Sequence, residues 1–569
     1  MTEMPFTYLL LPVLVWPLLL AAAASFRATR PLALKLTPWA ALPALAAVAI
    51  PNGELQLTGV MLGGALALDA IGRVFLLSMS ALWLATGLLA RPRLHAGDSG
   101  PFAVLLLLAM AGGLGMALVG DALWFFAAST LAGYALYGVL MQAGDGTTRQ
   151  AGNLLVILLV ASDLLVFEVL LMLAHSAAGS DFASFRQALV SAESRTLILG
   201  LLVVGFGIKI GLLGVHFWLA PVFTTAAAPL RPALVAYMLG AGLLGGLRLL
   251  PIGELNAPVA GEILRWLAWA TLVYAWLVGT LQLQRRSTLA YAAMALGGLW
   301  LAVLSAFLHQ PGLWAGSATS LAGMLVQSGL ALAVLLLTAT AVEGKQSPTT
   351  VQFAFGLRWL AALLLATAPV GIAGVLTVQA DGLPIHLATA VIAFLAGLSL
   401  LRREGGAAAV PADMSARTGT GRSASLDMPM SSVLVPATGL AVAAAFALVY
   451  QSTGWSFYDA AVSASIALVS LLLGASSARW LVPHLPSLPP GDAVVFIAYA
   501  IAAARDAGRR LSDAGLARWP DVARALTQRI WSGVSRISIV HWESALIRWP
   551  AALLLMLLLG LLVAWLASS

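Results

Sequence analysis

The sequence predicts an all-α polytopic membrane protein with about sixteen transmembrane helices. Of its 569 residues, 61% are hydrophobic and only 9% are charged, whereas a soluble domain carries about 25% charged residues. Apolar runs of about 18 to 25 residues recur along the chain, and each is long enough to cross the hydrocarbon core as a helix. The chain has no cysteine, which excludes disulfides and thiolate-held metal sites or clusters. No strand is predicted.

The N-terminal region, residues 1–100, holds the first spans. Its first apolar run, residues 5–26, is long and has no basic segment ahead of it, so it is predicted to be a span rather than a cleaved signal. Basic residues then cluster after alternate spans, at Arg27, Arg30 and Lys35, at Arg91 and Arg93, at Arg285 and Arg286, and at Arg402 and Arg403. By the positive-inside rule these loops face the cytoplasm, which predicts an outside N-terminus in a bacterial-type plasma membrane.

Beyond a core of about thirteen spans, four C-terminal segments are predicted. Residues 403–430, rich in Gly, Ala, Ser, Thr and Arg, are typical of a flexible cytoplasmic linker. Residues 431–480 hold additional transmembrane helices, and residues 549–569 form a final one. Between them, residues 490–548 combine arginines with apolar residues at helical spacing. That pattern predicts a basic amphipathic lateral helix against the inner membrane surface or a neighbouring subunit.

Lys209 is the residue most informative about function. Of the three lysines it is the one inside an apolar run, because Lys35 and Lys345 lie where such runs end. A cation at membrane depth is costly and usually faces a bundle interior or a water-filled path. A buried lysine can exchange its proton, whereas an arginine stays charged. Four glycines within five residues of Lys209 would loosen the helix. The alternative interpretation is a lysine that snorkels from a helix end.

The segment that begins at Lys209 carries a family resemblance. It continues through His216, Trp218 and Pro221 to Pro229. It resembles the signature of the antiporter-like subunits of respiratory complex I, membrane-bound hydrogenases and Mrp cation/proton antiporters. In that family a lysine of the seventh helix is followed by a His-x-Trp-Leu-Pro segment and a proline-rich turn.

Two weaker matches agree with this resemblance. The stretch around Asp69 is similar to the start of the family's third helix, and the stretch with Arg286 and Tyr291 is similar to the start of its tenth. The resemblance implies two inverted repeats of about five helices, over residues 101–252 and 262–402, each with a broken helix beside a half-channel. It also implies a line of titratable groups near the membrane midplane that translocates protons.

The sequence departs from the family at relay positions. Thr130 stands where the family has its fifth-helix glutamate, and Gln327 stands near its eleventh-helix lysine. The second repeat is therefore predicted to be degenerate. Two carboxyls of the sixth predicted span, Asp163 and Glu168, offer a compensation. They lie about 140° apart around a helix, so both are not expected to face Lys209, and Glu168 is slightly favoured as its partner. The alternative is that they only fasten neighbouring helices.

The remaining polar residues have weaker assignments. His216 is a candidate proton-relay residue at the inner mouth of the first half-channel, because histidine titrates near neutral pH; a structural hydrogen bond is an equal alternative. Arg231 and Arg248 bracket the eighth predicted span and are candidate channel-entrance residues, although Arg248 also fits an interface anchor. We find no nucleophile constellation, metal cluster or phosphate loop, so we expect no cofactor, no metal, no catalytic site of the chain's own and no nucleic-acid partner.

Three functions stay open from the sequence. The first is a proton-translocating subunit of an energy-converting complex, with other membrane subunits as partners and protons, or a monovalent cation, as cargo. The second is a proton-channel partner of a zinc protein in inorganic-carbon uptake. The third is a non-transporting structural paralogue. The degenerate second repeat favours the last two, and the retained Lys209 with its buried carboxyls opposes the third.

Overall fold

The structure, a computed structural model, describes residues 7–57, 64–96, 99–143, 146–282, 284–338, 348–376, 383–401 and 457–480. The predicted linker (403–430), lateral helix (490–548) and final span (549–569) lie outside the described residues. The C-terminal end of the predicted 431–480 segment is described as one helix.

The described chain is mostly helical. Its first elements are α1 (Leu11–Ser25), α2 (Arg30–Leu36), α3 (Leu42–Ala47), β1 (Gly53–Gln56), β2 (Ala65–Leu68), α4 (Ala70–Leu94) and α5 (Gly100–Leu118). The next are α6 (Ala122–Ala143), α7 (Gly146–Ala174), α8 (Phe182–Ser191), α9 (Arg195–Ile210), α10 (Leu219–Thr225), α11 (Arg231–Tyr237) and α12 (Gly245–Leu249). The last are α13 (Pro258–Leu281), α14 (Arg285–His309), α15 (Trp314–Thr338), α16 (Pro348–Leu376), α17 (Leu383–Leu401) and α18 (Phe457–Trp480).

Within the described ranges, nine helices are long and apolar enough to cross a membrane. The prediction of a polytopic helical membrane protein is confirmed at that level, and the total of about sixteen spans stays a prediction. Residues 30–47, which lie within the predicted N-terminal spans, form two short helices rather than one rod. Pro38 and Pro43 explain the interruption, because proline lacks the amide hydrogen that a continuous helix needs.

The centre of the bundle is built from three rods whose most apolar stretches are entirely buried. They are residues 228–249, α14 and, in α15, residues 317–338. Around them α5 packs along α6, α7 along α9, α13 along α14 and α17 along α18. Glycine and alanine are frequent at these contacts, as expected where helices associate by close packing rather than by a hydrophobic driving force.

The expectation that the chain has no strand is wrong in one place. β1 and β2 pair antiparallel, with Gly53 opposite Leu68 and Gln56 opposite Ala65. β1 alternates, with Leu55 buried between the exposed Glu54 and Gln56. Four residues of alternation are too short to stand out in a sequence dominated by helical spans. The hairpin leads into α4 and leaves the helical architecture unchanged.

Candidate functional site

The candidate site lies where a helix breaks. α9 ends at Ile210 because Gly211 adopts a left-handed backbone, with φ of +82°. The Gly207 carbonyl accepts the Leu212 amide at 2.9 Å, and the Ile208 carbonyl accepts the Gly211 amide at 3.3 Å, which is the pattern of a Schellman end. The indole Nε1 of Trp218 donates to the Ile208 carbonyl at 2.7 Å. These contacts satisfy a helix end inside the bundle, where no lipid group could do so.

The chain leaves the break through a turn into the short helix α10. Pro221 lies in its first turn, and its carbonyl accepts the hydroxyls of Thr224 and Thr225 at 2.9 and 2.8 Å. Pro229 lies in the 3-10 turn Ala228–Leu230 that starts the next rod. The family-motif residues of this segment therefore form the break and its continuation.

A π-helical segment, Met238–Leu244, lies between α11 and α12 and packs against the break. Gly242 makes this approach possible, since a Cβ there would lie 2.5 Å from Ile210 and 3.4 Å from the Lys209 carbonyl carbon. Single π-helical turns inside α-helices are frequent at functional sites.

Lys209 occupies the last turn of α9, and its side chain is 1% exposed. Its ammonium lies 2.7 Å from the Asp163 Oδ1 and 2.7 Å from the Ser129 Oγ. Asp163 is itself buried, near the middle of α7. A buried charge pair is stable only when both charges keep hydrogen-bond partners. The structure places Lys209 in the bundle interior, so the snorkelling alternative does not describe it.

Two further groups of α6 complete the surroundings of Asp163. The Thr130 hydroxyl donates to its Oδ2 at 3.2 Å, and the Tyr134 phenol interacts with the same carboxylate. Sequence reasoning missed Ser129 and Tyr134 as parts of this cluster. Adjacent hydroxyls at positions 129 and 130 in an apolar span were the available signal, and Tyr134 follows Thr130 by one helical turn.

The preference for Glu168 as the partner of Lys209 is corrected. Glu168 is exposed on the outer side of α7, whereas Asp163 is buried and faces Lys209. The physical reason is the helical angle of about 140° between the two positions. Asp163 points into the bundle, so Glu168 must point out of it.

On the α10 side of the break, aromatic rings surround His216. Its buried ring lies 5.0 Å from the rings of Phe217 and Tyr274. The Tyr274 ring lies 6.4 Å from that of Tyr291, a buried residue of α14. The Tyr274 ring therefore lies between the rings of His216 and Tyr291, which are both family-motif positions.

The predicted second repeat, residues 262–402, has a neutral group near the position where the resemblance implies a lysine. Gln327 is buried in α15, and its amide Nε2 donates to the Leu364 carbonyl at 3.2 Å. Thr367 Oγ1 lies 3.5 Å from the same nitrogen. α15 contains no Asp, Glu, Lys, Arg or His. Gln327 therefore fastens α15 to α16 and cannot take up or release a proton.

The arginines predicted at channel entrances hold helix ends in the structure. Arg231 is buried and donates to the carbonyls of Ala226 and Leu336, at 3.2 and 3.0 Å. Conversely, Arg286 of the second repeat donates to the Thr224 carbonyl, at the end of α10, at 3.3 Å. Such contacts satisfy carbonyls that have no partner within their own helix.

Arg248 forms a two-pronged ion pair with Asp69, the residue that begins α4. The two N–O distances are 2.5 and 2.7 Å. Burial of the carboxyl raises its pKa, but the hydrogen bonds and charge of Arg248 outweigh this effect and hold the pKa of Asp69 below its usual value. The contact ties α4 to the end of α12 and fits the anchor interpretation of Arg248. The channel-entrance role stays a prediction for both arginines.

A metal site is not evident in the part of the chain that the structure describes. No group of three or more His, Asp or Glu residues there is close enough to hold a metal ion.

Comparisons with known proteins agree with this architecture. Residues 119–388 match the family described as "NADH:quinone oxidoreductase/Mrp antiporter, TM". NADH-quinone oxidoreductase subunit N of Salinispora tropica is 29% identical over 41% of this chain and 48% of its own length. NAD(P)H-quinone oxidoreductase chain 4 1 of Synechococcus sp. is 30% identical over 42% of this chain and 43% of its own length. The chain thus spans about half the length of the curated relatives it matches.

The fold is also similar to a solved structure. A chain in the structure of the Mrp complex from Dietzia sp. superposes with a TM-score of 0.65 at 16% identity, over 93% of this chain and 62% of that one. At that identity the likeness concerns the fold alone.

Fold and site define a polytopic membrane protein with a charge pair buried at the end of a broken helix. The matched region, residues 119–388, includes the break, both buried charges and Gln327. Over this region the chain matches the family of antiporter-like membrane subunits of NADH:quinone oxidoreductases and Mrp antiporters, which agrees with the resemblance of the segment that begins at Lys209.

Proposed function

We propose that this chain translocates protons across the membrane as one subunit of a larger complex. The observation that carries the proposal is the buried contact between Lys209 and Asp163 at the break of α9. The named relatives are subunits of quinone oxidoreductases, and the similar structure is that of an Mrp complex. Other membrane subunits are accordingly the proposed partners.

The pair offers a simple route for a proton. In the proposed resting state the Asp163 carboxylate offsets the charge of the Lys209 ammonium. A proton that arrives at Asp163 neutralises the carboxylate and leaves the ammonium without a counter-charge. Lys209 then releases a proton to an acceptor beyond the break. Transfer of the proton from Asp163 to Lys209 restores the pair, so one proton crosses per cycle.

His216 is the proposed acceptor beyond the break. It follows Lys209 by seven residues, and histidine exchanges protons near neutral pH. The proposed topology places the N-terminus outside and the α10 end of the broken helix toward the cytoplasm, because the basic loops would then face inward. The lateral helix, proposed to run along the cytoplasmic side, would hold a neighbouring subunit.

A second candidate is the proton-channel role beside a zinc protein in inorganic-carbon uptake. The neutral, hydrogen-bonded Gln327 favours it, because a chain with one charged site is a reduced version of a two-repeat relay. The hydroxyl and carboxylate contacts around Lys209 oppose a purely structural paralogue. The genes beside this one separate the first two candidates, since quinone-reductase or hydrogenase subunits support one and a single large zinc-binding protein supports the other.

The test is proton flux into proteoliposomes that contain the chain with its native partners. Lys209→Ala and Asp163→Asn should each reduce the flux at least about tenfold. Lys35→Ala, at an exposed lysine, and Glu193→Gln, at an exposed loop carboxyl, are matched controls that should leave it unchanged. Undiminished flux in an assembled Lys209→Ala complex would assign the proton path to another subunit.

A further inference from the structure

Glu168 is a carboxyl on the outer surface of the bundle at membrane depth. It lies six residues before the end of α7, about 9 Å along the helix axis. Along the same stripe Leu164 is 46% exposed and Leu171 is 54% exposed. Among the described residues, no donor forms a hydrogen bond or ion pair with the Glu168 carboxyl. A carboxyl left in this position against hydrocarbon would be costly.

Another outward carboxyl of a described span has a counter-charge on its own helix. Glu262, on α13, forms an ion pair with Arg265 of the same helix at 2.6 Å. Glu168 has no such neighbour in sequence, since no Lys or Arg occurs between Arg149 and Arg186. None of the described residues therefore supplies a counter-charge to Glu168.

The surface around Glu168 also borders the buried charge pair. We define the α6–α7 face as the exposed residues Leu131, Tyr134, Leu164, Phe167, Glu168 and Leu171. Phe167 packs on Phe126 with ring centroids 5.5 Å apart, which joins the two helices along this face. Tyr134 is 37% exposed here while its phenol interacts with Asp163. The Tyr134 side chain thus extends from the outer surface to the Asp163 carboxylate.

We infer that the α6–α7 face docks a transmembrane helix of a different membrane subunit that places a lysine or arginine against Glu168. The opposite charge would stabilise the carboxylate in the low-dielectric interface, where a charge-assisted hydrogen bond is strong. The same helix would cover Tyr134 and seal the Lys209–Asp163 pair from lipid. This contact would exist whether or not the chain conducts protons.

The experiment is photo-cross-linking in native membranes with the full complex. p-Benzoylphenylalanine replaces Leu164 or Leu171 on the docking face, and Val273 or Leu277 on the exposed side of α13 as a control. The expected product from Leu164 or Leu171 is a cross-link to a membrane helix of another subunit, with a Lys or Arg within one turn of the linked residue. Glu168→Gln should reduce its yield roughly tenfold, and Glu193→Gln should not change it.

A charge swap then tests the pairing itself. Glu168→Lys should abolish the cross-link, and exchange of the partner's basic residue for glutamate should restore it. The inference is overturned by cross-links to lipid alone, to a second copy of this chain, or to a helix without a basic residue. An unchanged yield in Glu168→Gln overturns it as well. Glu168→Asp, which keeps the charge, distinguishes lost pairing from lost folding.

Discussion

The hydroxyl of Thr130 donates a hydrogen bond to the carboxylate of Asp163 across 3.2 Å. The family resemblance implies a glutamate at the position of Thr130. In this chain the carboxylate beside Lys209 belongs to Asp163 of α7 instead, so on that alignment the negative charge has moved from α6 to α7. The two helices pack side by side, which makes this exchange of positions geometrically possible.

Returning the carboxylate to α6 should therefore rescue its loss from α7. We expect Asp163→Asn to lower proton flux at least about tenfold, and Thr130→Glu combined with Asp163→Asn to recover a large part of it. Proton flux into proteoliposomes is measured for the single and the double variant. Leu131→Glu with Asp163→Asn is the matched control, because Leu131 faces outward and cannot reach Lys209. Equal rescue by both glutamates would contradict the proposed exchange.

Substitutions of Lys209 and Asp163 should have strongly coupled effects on the free energy of unfolding. Lys209→Met or Asp163→Leu alone leaves one buried charge without its partner, which costs about 3 to 5 kcal/mol. The double substitution removes both charges and should be much less destabilising than the sum of the two. Unfolding of the four proteins in one detergent gives the coupling energy. Simple additivity would mean that the two charges do not interact.

Substitution of Gly211 by a residue with a Cβ should destabilise the protein for two separable reasons. Its φ of +82° is unfavourable for any residue with a Cβ, at about 1 to 2 kcal/mol. A Cβ there would also lie 2.9 Å from Leu219. Gly214, with φ of +87° and nothing within 4 Å of such a Cβ, isolates the backbone effect. We expect Gly211→Ala to lower the melting temperature and the flux more than Gly214→Ala. The reverse order would contradict the role of Gly211 in placing Lys209.

The ion pair between Asp69 and Arg248 predicts a defined pH dependence. Because the pKa of Asp69 is lowered in the folded protein, its carboxylate stabilises the fold above the unfolded value of about 3.9. That contribution disappears as the pH falls through the folded value. Asp69→Asn should lower the melting temperature by roughly 2 °C near neutral pH, and the difference should shrink as the pH falls below about 3.9. A difference that persists in acid would point to the α4 cap instead, since the Asp69 side chain also accepts the Gly72 amide.

Composition and run length were sufficient to predict the membrane-spanning helical class, because the need to satisfy every backbone group in hydrocarbon leaves few alternatives. Lys209 was recognisable from the sequence because a single cation inside a long apolar run is unusual. The hairpin of β1 and β2 was missed because its alternating pattern is only four residues long. The interruption within residues 30–47 follows from Pro38 and Pro43, a local signal that the apolar composition of this region obscured.

The sequence alone predicts that Lys209 needs a carboxylate, and the sixth predicted span offers two. The packing of α7 against α9 selects one of them, because the side of α7 that faces α9 depends on all the neighbouring helices. Asp163 lies on the packed side with Ser129 and Thr130 around it. Glu168 lies on the outer side of the bundle. Side-chain identity thus sets which contacts are needed, and packing sets which of them are made.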